Sequence, residues 1–197
     1  MGCALVIVRI VKTGNQRLWV WFGTLAGVGM QTKYSMGFFG LGVLVGLLLT
    51  SERKAFASRW FWFGAAVGLG IWMPNVVWNL QHHWPFIELM RNVQSSGRDI
   101  KLGPAAFIIQ QINVLGPATL PFWLAGAPYL FFARDAKRHR ILGWIFLTVF
   151  GVLLVLKGKD YYVVPIYPIV FAAGGVVFER IWQRRRWRWV TPLLAAG

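Results

Sequence analysis

Long apolar runs parted by short polar ones set the rhythm of this chain. Leu18 to Met30, Tyr34 to Thr50, Trp60 to Trp78, Ala105 to Phe132, Ile141 to Leu156 and Val163 to Phe178 hold no Asp, Glu, Lys or Arg. A helix needs about 20 residues to cross hydrocarbon, and fewer where flanking side chains snorkel or the bilayer thins. Read as one helix, Leu18 to Thr50 would reach about 50 Å at 1.5 Å per residue, well beyond a core of about 30 Å. The chain therefore breaks near Gln31-Thr32-Lys33. Pro117, Pro121 and Pro128 bend or break the run from Ala105 to Phe132, because each interior proline removes a backbone hydrogen bond. The pattern predicts an all-α transmembrane bundle of about six full spans, a single domain over residues 1–197. Gly2 to Val8 and Val190 to Gly197 are partial spans at the two ends, and the expectation is of a segment of a longer membrane protein.

Charge supports the layout. Taken alternately, the loops put fifteen basic residues on one side: Arg9, Lys12, Arg17, Arg53, Lys54, Arg59, Arg134, Lys137, Arg138, Arg140, Arg180, Arg184, Arg185, Arg186 and Arg188. The other side receives six: Lys33, Arg91, Arg98, Lys101, Lys157 and Lys159. The positive-inside rule assigns the first side to the cytoplasm. Fusing Leu18 to Thr50 into one span would scramble this alternation, so the break at Lys33 has two independent supports.

Composition changes the picture in one respect. A net charge of +15 in a soluble chain would suggest nucleic acid. With 57% hydrophobic residues, and basic residues confined to short loops, it points to a membrane protein with no nucleic-acid partner. Many of the 12 Trp stand at run ends, where an indole fits the headgroup layer. Cys3 is the only cysteine, which excludes an intrachain disulfide and a thiol metal cluster.

The extracytoplasmic side collects the candidate chemistry. Lys157-Gly158-Lys159-Asp160-Tyr161-Tyr162 interrupts two apolar runs with two lysines, a carboxylate and two phenols, a set that suits an anionic lipid headgroup. A charged turn that only keeps two helices apart is the competing reading. Lys33 is the first candidate for holding a phosphate, followed by Lys157 and Lys159. Asp160 can orient a lysine, while Tyr161 and Tyr162 can hydrogen-bond sugar or phosphate. Snorkelling anchors would account for the same residues. The third element is the loop from Asn79 to Pro104 (79–104), with a short amphipathic helix over Ile87 to Val93 and a turn at Ser95-Ser96-Gly97. His82 and His83 are adjacent, so their side chains lie about 100° apart on a helix and rarely chelate together. Hydrogen bonding at the interface is the reading for both, with no metal site.

These residues also carry a resemblance. Gly27-Val28-Gly29-Met30-Gln31-Thr32-Lys33-Tyr34-Ser35 resembles the helix junction of polytopic glycosyltransferases of the GT-C class. More narrowly it resembles the family-39-like group of protein mannosyltransferases and the lipid A aminoarabinose transferase. Pro74-Asn75-Val76-Val77-Trp78-Asn79, His82 to Pro85 and Lys159-Asp160-Tyr161-Tyr162 with Pro165, Tyr167 and Pro168 are similar to bacterial members of that group. The resemblance spans roughly Leu18 to Phe178. It implies an all-helical enzyme of the bacterial inner (plasma) membrane that takes a sugar from a polyprenyl-phosphate carrier. The acceptor is a glycan, lipid or protein outside the cytoplasm, and transfer inverts the anomeric centre. Tyr34, His82, His83, Asp160, Tyr161 and Tyr162 then become candidate donor or acceptor contacts.

In that group an acidic residue in the first extracytoplasmic loop deprotonates the acceptor or positions a metal. That loop has no counterpart here, so the catalytic residue is unknown, and neither Asp99 nor Asp160 takes the role. The expectation is of a fragment inactive alone, with no cofactor of its own and a divalent metal left open for the full-length enzyme. Two other classes compete. A transporter would bury ionisable groups within spans, where this chain offers only Gln110, Gln111 and Asn113. A non-catalytic membrane subunit fits the missing loop.

Overall fold

A computed structural model describes residues 1–96 and 102–184. Gly97, Arg98, Asp99 and Lys101, the Arg185 to Arg188 cluster and the final run from Val190 lie outside the described residues. Nine α-helices account for most of the rest, and there is no strand among the described residues. They are α1 (Gly2–Thr13), α2 (Leu18–Thr32), α3 (Met36–Leu48), α4 (Arg59–Gln81), α5 (Pro85–Ser95), α6 (Pro104–Leu115), α7 (Leu120–Phe132), α8 (Arg140–Val155) and α9 (Tyr167–Arg184). Helix is the structure to expect here, because it satisfies every backbone N–H and C=O within one segment where no water can.

The boundaries follow local chemistry. Gly14 closes α1 at φ 69°, a left-handed conformation without penalty for glycine. Ser58 opens α4 by accepting the Trp60 N–H at 3.3 Å. Pro85 and Pro104 occupy first-turn positions of α5 and α6, where a missing N–H costs nothing. The proline-rich run breaks as expected. α6 and the segment Pro117–Phe132 meet at 97°, with Gly116 in the left-handed region at φ 82°. Pro121 lies in the first turn of α7 and Pro128 inside it, so Gly116-Pro117 is the break itself.

Among the described residues, three helices are long and apolar enough to cross a membrane: Arg59–Gln81, Lys137–Val155 and Asp160–Gln183. Counting two bent pairs, Met36–Leu48 with Ser51–Ala57 and Pro104–Leu115 with Pro117–Phe132, brings the number to five. The helical bundle is as expected, but the sequence count of about six is higher. The difference falls on α2, whose 15 residues stop short of a full span.

The core forms around α8 and the start of α9. Leu47, Ile141, Ile145, Val149, Leu153, Val163, Tyr167 and Val170 are buried there. The large apolar side chains of α4, by contrast, mostly point outward (Trp62, Phe63, Leu69, Met73), as suits lipid contact. Helices meet through small residues. On α2, Gly23 and Gly27 lie against Gly64 and Gly68 of α4, which makes the two helices parallel. On α3, Gly42 and Gly46 lie against Ile145 and Ile141, so α3 and α8 are antiparallel. Gly126 and Gly174 bring α7 and α9 equally close. With hydrophobic drive absent between helices in lipid, this close backbone approach is what dispersion attraction requires.

The arrangement separates two ends. Arg17 and Arg59 each lie against the Trp60 ring at one end, where Arg180 also pairs with Asp135. The other end holds Lys33, the close of α4, α5 and the segment 157–162.

Candidate functional site

Two chain breaks build the site. The first lies between α2 and α3. The Lys33 N–H still donates to the Gly29 carbonyl at 2.9 Å, but its backbone is extended (φ −156°, ψ 120°), and α3 restarts at Met36. Thr32 turns its hydroxyl back onto the Gly29 carbonyl at 2.9 Å. The Lys33 N–H bond is thus the last regular turn of α2; the extended backbone of Lys33 ends the helix there, and its side chain is exposed.

The second break follows α8. Lys157 takes the left-handed conformation at φ 51°, and the Gly158 N–H returns to the Leu153 carbonyl at 2.7 Å, a helix-ending turn. A 3-10 turn over Asp160–Ile166 follows. Asp160 accepts the Tyr161 N–H on Oδ1 at 2.9 Å, and the Tyr162 N–H donates to the Lys159 carbonyl at 3.1 Å. Asp160 thus fastens its own turn.

The two breaks meet. Lys33 Nζ stands 4.7 Å from the centre of the Tyr162 ring and 5.9 Å from that of Tyr161. The tyrosines pack edge to face at 4.8 Å, so the cation faces a pair of π-systems. Beneath lies a cavity of about 300 Å³. Thr32, Lys33, Ser35 and Tyr162 supply its polar lining, and Leu25, Met36, Phe39, Val149, Ile166 and Ile169 its apolar wall. Met1 and the first residues of α1, Gly2 to Ala4, complete it, including the buried Cys3. Chemically this is a cationic, phenol-lined mouth over an apolar chamber.

The other candidates fall around it. Lys159 and Asp160 are half-buried on the second break, Lys157 is exposed, and none of the three lines the cavity. Tyr34 points away from the chamber. Its hydroxyl donates to Asn75 Oδ1 at 2.9 Å and accepts from Asn79 Nδ2 at 2.9 Å, while its ring packs on Phe86 at 4.5 Å. The hydroxyl therefore both donates and accepts in tying the Lys33 break to α4, while the ring ties it to α5. Gln31 adds a bond from its side-chain amide to the Ile71 carbonyl. His82 stacks on Trp78 at 4.4 Å, with Nδ1 at 2.8 Å from the Trp78 carbonyl. His83 and Trp84 adopt left-handed backbone, turning the chain from α4 into α5. Neither histidine lines the cavity. The segment 79–104 contains the last turn of α4 and all of α5, which covers the amphipathic stretch expected at Ile87 to Val93.

Two residues acquire roles that sequence reasoning did not give them. Asn79 is 3% exposed and joins Tyr34 to Asn75, one helical turn before it on α4. Gln111 is fully buried, and its Nε2 reaches the Asp160 carbonyl at 3.3 Å, linking α6 to the second break. The available signal was an amide set within an apolar run (Asn75 and Asn79, or Gln110, Gln111 and Asn113), which must find partners where buried.

Residues 1–78 match the model of the dolichyl-phosphate-mannose-protein mannosyltransferase family. The match covers α1, α2, α3 and most of α4, with Lys33, Tyr34 and Asn75 inside it and the segment 157–162 beyond it. The resemblance read at Gly27 to Ser35 is borne out over that part of the chain, which is similar there to a family of membrane glycosyltransferases. No curated protein and no solved structure matches the chain significantly.

Proposed function

With that family match over residues 1–78 as the premise, we propose that this chain forms the donor-binding part of a membrane glycosyltransferase that uses a polyprenyl-phosphate-linked sugar. The observation that carries the reading is the meeting of Lys33 with Tyr161 and Tyr162 at the mouth of the chamber. A phosphate on a lipid needs cations at the membrane surface and an apolar path for its chain. Lys33 supplies a charge with no carboxylate within ion-pair distance among the described residues. Lys159 and Lys157 add two more from the second break. Charge-assisted hydrogen bonds to phosphate contribute about 1.5–3 kcal/mol each.

The tyrosines hold the Lys33 ammonium and offer hydroxyls to the sugar. Tyr34 positions the lysine by fastening its break to Asn75 and Asn79. Asp160 is assigned to shaping its turn, where Oδ1 accepts the Tyr161 N–H, and no general-base role is given to it. The active side is extracytoplasmic, as the excess of basic residues at the opposite end supports. The location is the bacterial inner membrane, and the acceptor is a glycan, lipid or protein on that side.

The test is Lys33→Ala in the full-length enzyme, with transfer measured from a polyprenyl-phosphate sugar. Without the Lys33 ammonium to face the phosphate, donor use should fall about tenfold or more, chiefly in donor affinity. Full activity in Lys33→Ala would end the donor-site assignment.

A further inference from the structure

The opposite end of the bundle gathers cations of its own. We propose that Arg17, Trp60 and Arg59 form a binding site for the headgroup phosphate of an anionic phospholipid, at the paired starts of α2 and α4. The Arg17 guanidinium lies 5.6 Å from the centre of the Trp60 ring, and that of Arg59 lies 5.3 Å from it. One indole thus gathers two like charges within at most 10.9 Å of each other (5.6 Å plus 5.3 Å). Neither has a carboxylate partner: among the described residues the ion pair is elsewhere, between Arg180 and Asp135. Cation–π attraction holds the guanidiniums on the ring but leaves their charge and their outward N–H donors unneutralised.

Helix geometry adds to the imbalance. α2 and α4 run parallel, Gly23 against Gly64 and Gly27 against Gly68, so the positive ends of both dipoles emerge side by side at these arginines. The first amides of α2 are taken by the Asn15–Arg17 turn, and the Trp60 N–H by Ser58. The helices therefore contribute field here and the arginines contribute the donors. Arg59, Trp60 and Phe63 line a shallow hollow at this point, and Trp62 and Phe63 stand 59% and 54% exposed at the start of a helix able to cross a membrane. A ligand with an anionic phosphate and apolar chains matches that order of surfaces, cationic above and aromatic below. A free phosphate would leave the aromatic half unused.

The experiment reads lipid retention by native mass spectrometry. The full chain is released from vesicles of equal parts phosphatidylglycerol and phosphatidylcholine. The unmodified chain should retain phosphatidylglycerol preferentially. Arg17→Gln with Arg59→Gln should weaken that preference roughly thirtyfold, for two cations removed near an anionic surface. Arg53→Gln with Lys54→Gln removes the same charge from the same end and should change it less than about threefold. If the first pair fails to insert, Arg17→Gln alone should give about a fivefold loss. Equal losses in both pairs would show a diffuse surface potential and overturn the site. So would unchanged retention in the first pair, or displacement of the lipid by inorganic phosphate.

Discussion

Replacing single glycines by alanine along α2 and α4 should destabilise the bundle in an order set by backbone distance. A Cβ at Gly68 would lie 2.8 Å from the Gly23 carbonyl oxygen, and one at Gly27 would lie 2.6 Å from the Gly68 carbonyl oxygen. At Gly23 and Gly64 the added carbon would fall still closer, onto the carbonyls of Gly64 and Trp19. Ordinary van der Waals separation begins at 3.4 Å, so Gly27→Ala demands a retreat of 0.8 Å (3.4 less 2.6) and Gly68→Ala one of 0.6 Å (3.4 less 2.8). The obstacle is backbone on both sides and cannot rotate away, so the whole helix pair must part. Overpacking costs about 1–3 kcal/mol, against which alanine recovers up to about 1 kcal/mol of helix propensity. The net loss should be smallest at Gly68, larger at Gly27 and largest at Gly23 and Gly64, about 2 kcal/mol or more. Gly70 has nothing within 4 Å of its Cβ position, so Gly70→Ala on the same α4 should be neutral or slightly stabilising. Loss of helical circular dichroism during titration with a denaturing detergent reads the series. If Gly23→Ala and Gly64→Ala unfold no more easily than Gly70→Ala, α2 and α4 do not pack at this distance.

Two further outcomes follow from the hydrogen bonds. Asn79→Leu deprives the Tyr34 hydroxyl of a donor and Asn75 of a partner, and should cost about 1–3 kcal/mol in the same unfolding assay. The Arg180 guanidinium first, and the Tyr129 hydroxyl second, hold the Asp135 carboxyl well below the usual carboxylate range. A carboxyl lowered in the folded state contributes stability above its unfolded pKa and loses it as pH falls through the folded value. The unmodified chain should therefore lose this contribution only in acid below about pH 4, and Asp135→Asn should flatten that acid-side slope when unfolding is followed against pH.

The fold class, the breaks at Lys33 and at the proline-rich run, and the basic asymmetry of the loops were all written in one dimension. Each depends on chain-local physics: hydrocarbon excludes charge, helix length is fixed per residue, and proline lacks an N–H. The glycines of α2, α3 and α4 also stood four apart in the sequence. That spacing says a helix face is smooth; it does not say that Gly23 meets Gly64 in parallel while Gly42 meets Ile145 in antiparallel. Partner choice is a property of surfaces that only the folded bundle brings together.

The site divides the same way. Lys33, Tyr161 and Tyr162 were legible as polar groups facing one side, and they do meet. Tyr34 looked equally available for a ligand, yet its hydroxyl is consumed by two asparagines 41 and 45 residues away. Hydrogen-bond capacity is finite, and whether it is spent inside the fold or left for a ligand is decided by three-dimensional neighbours that no spacing along the chain reveals.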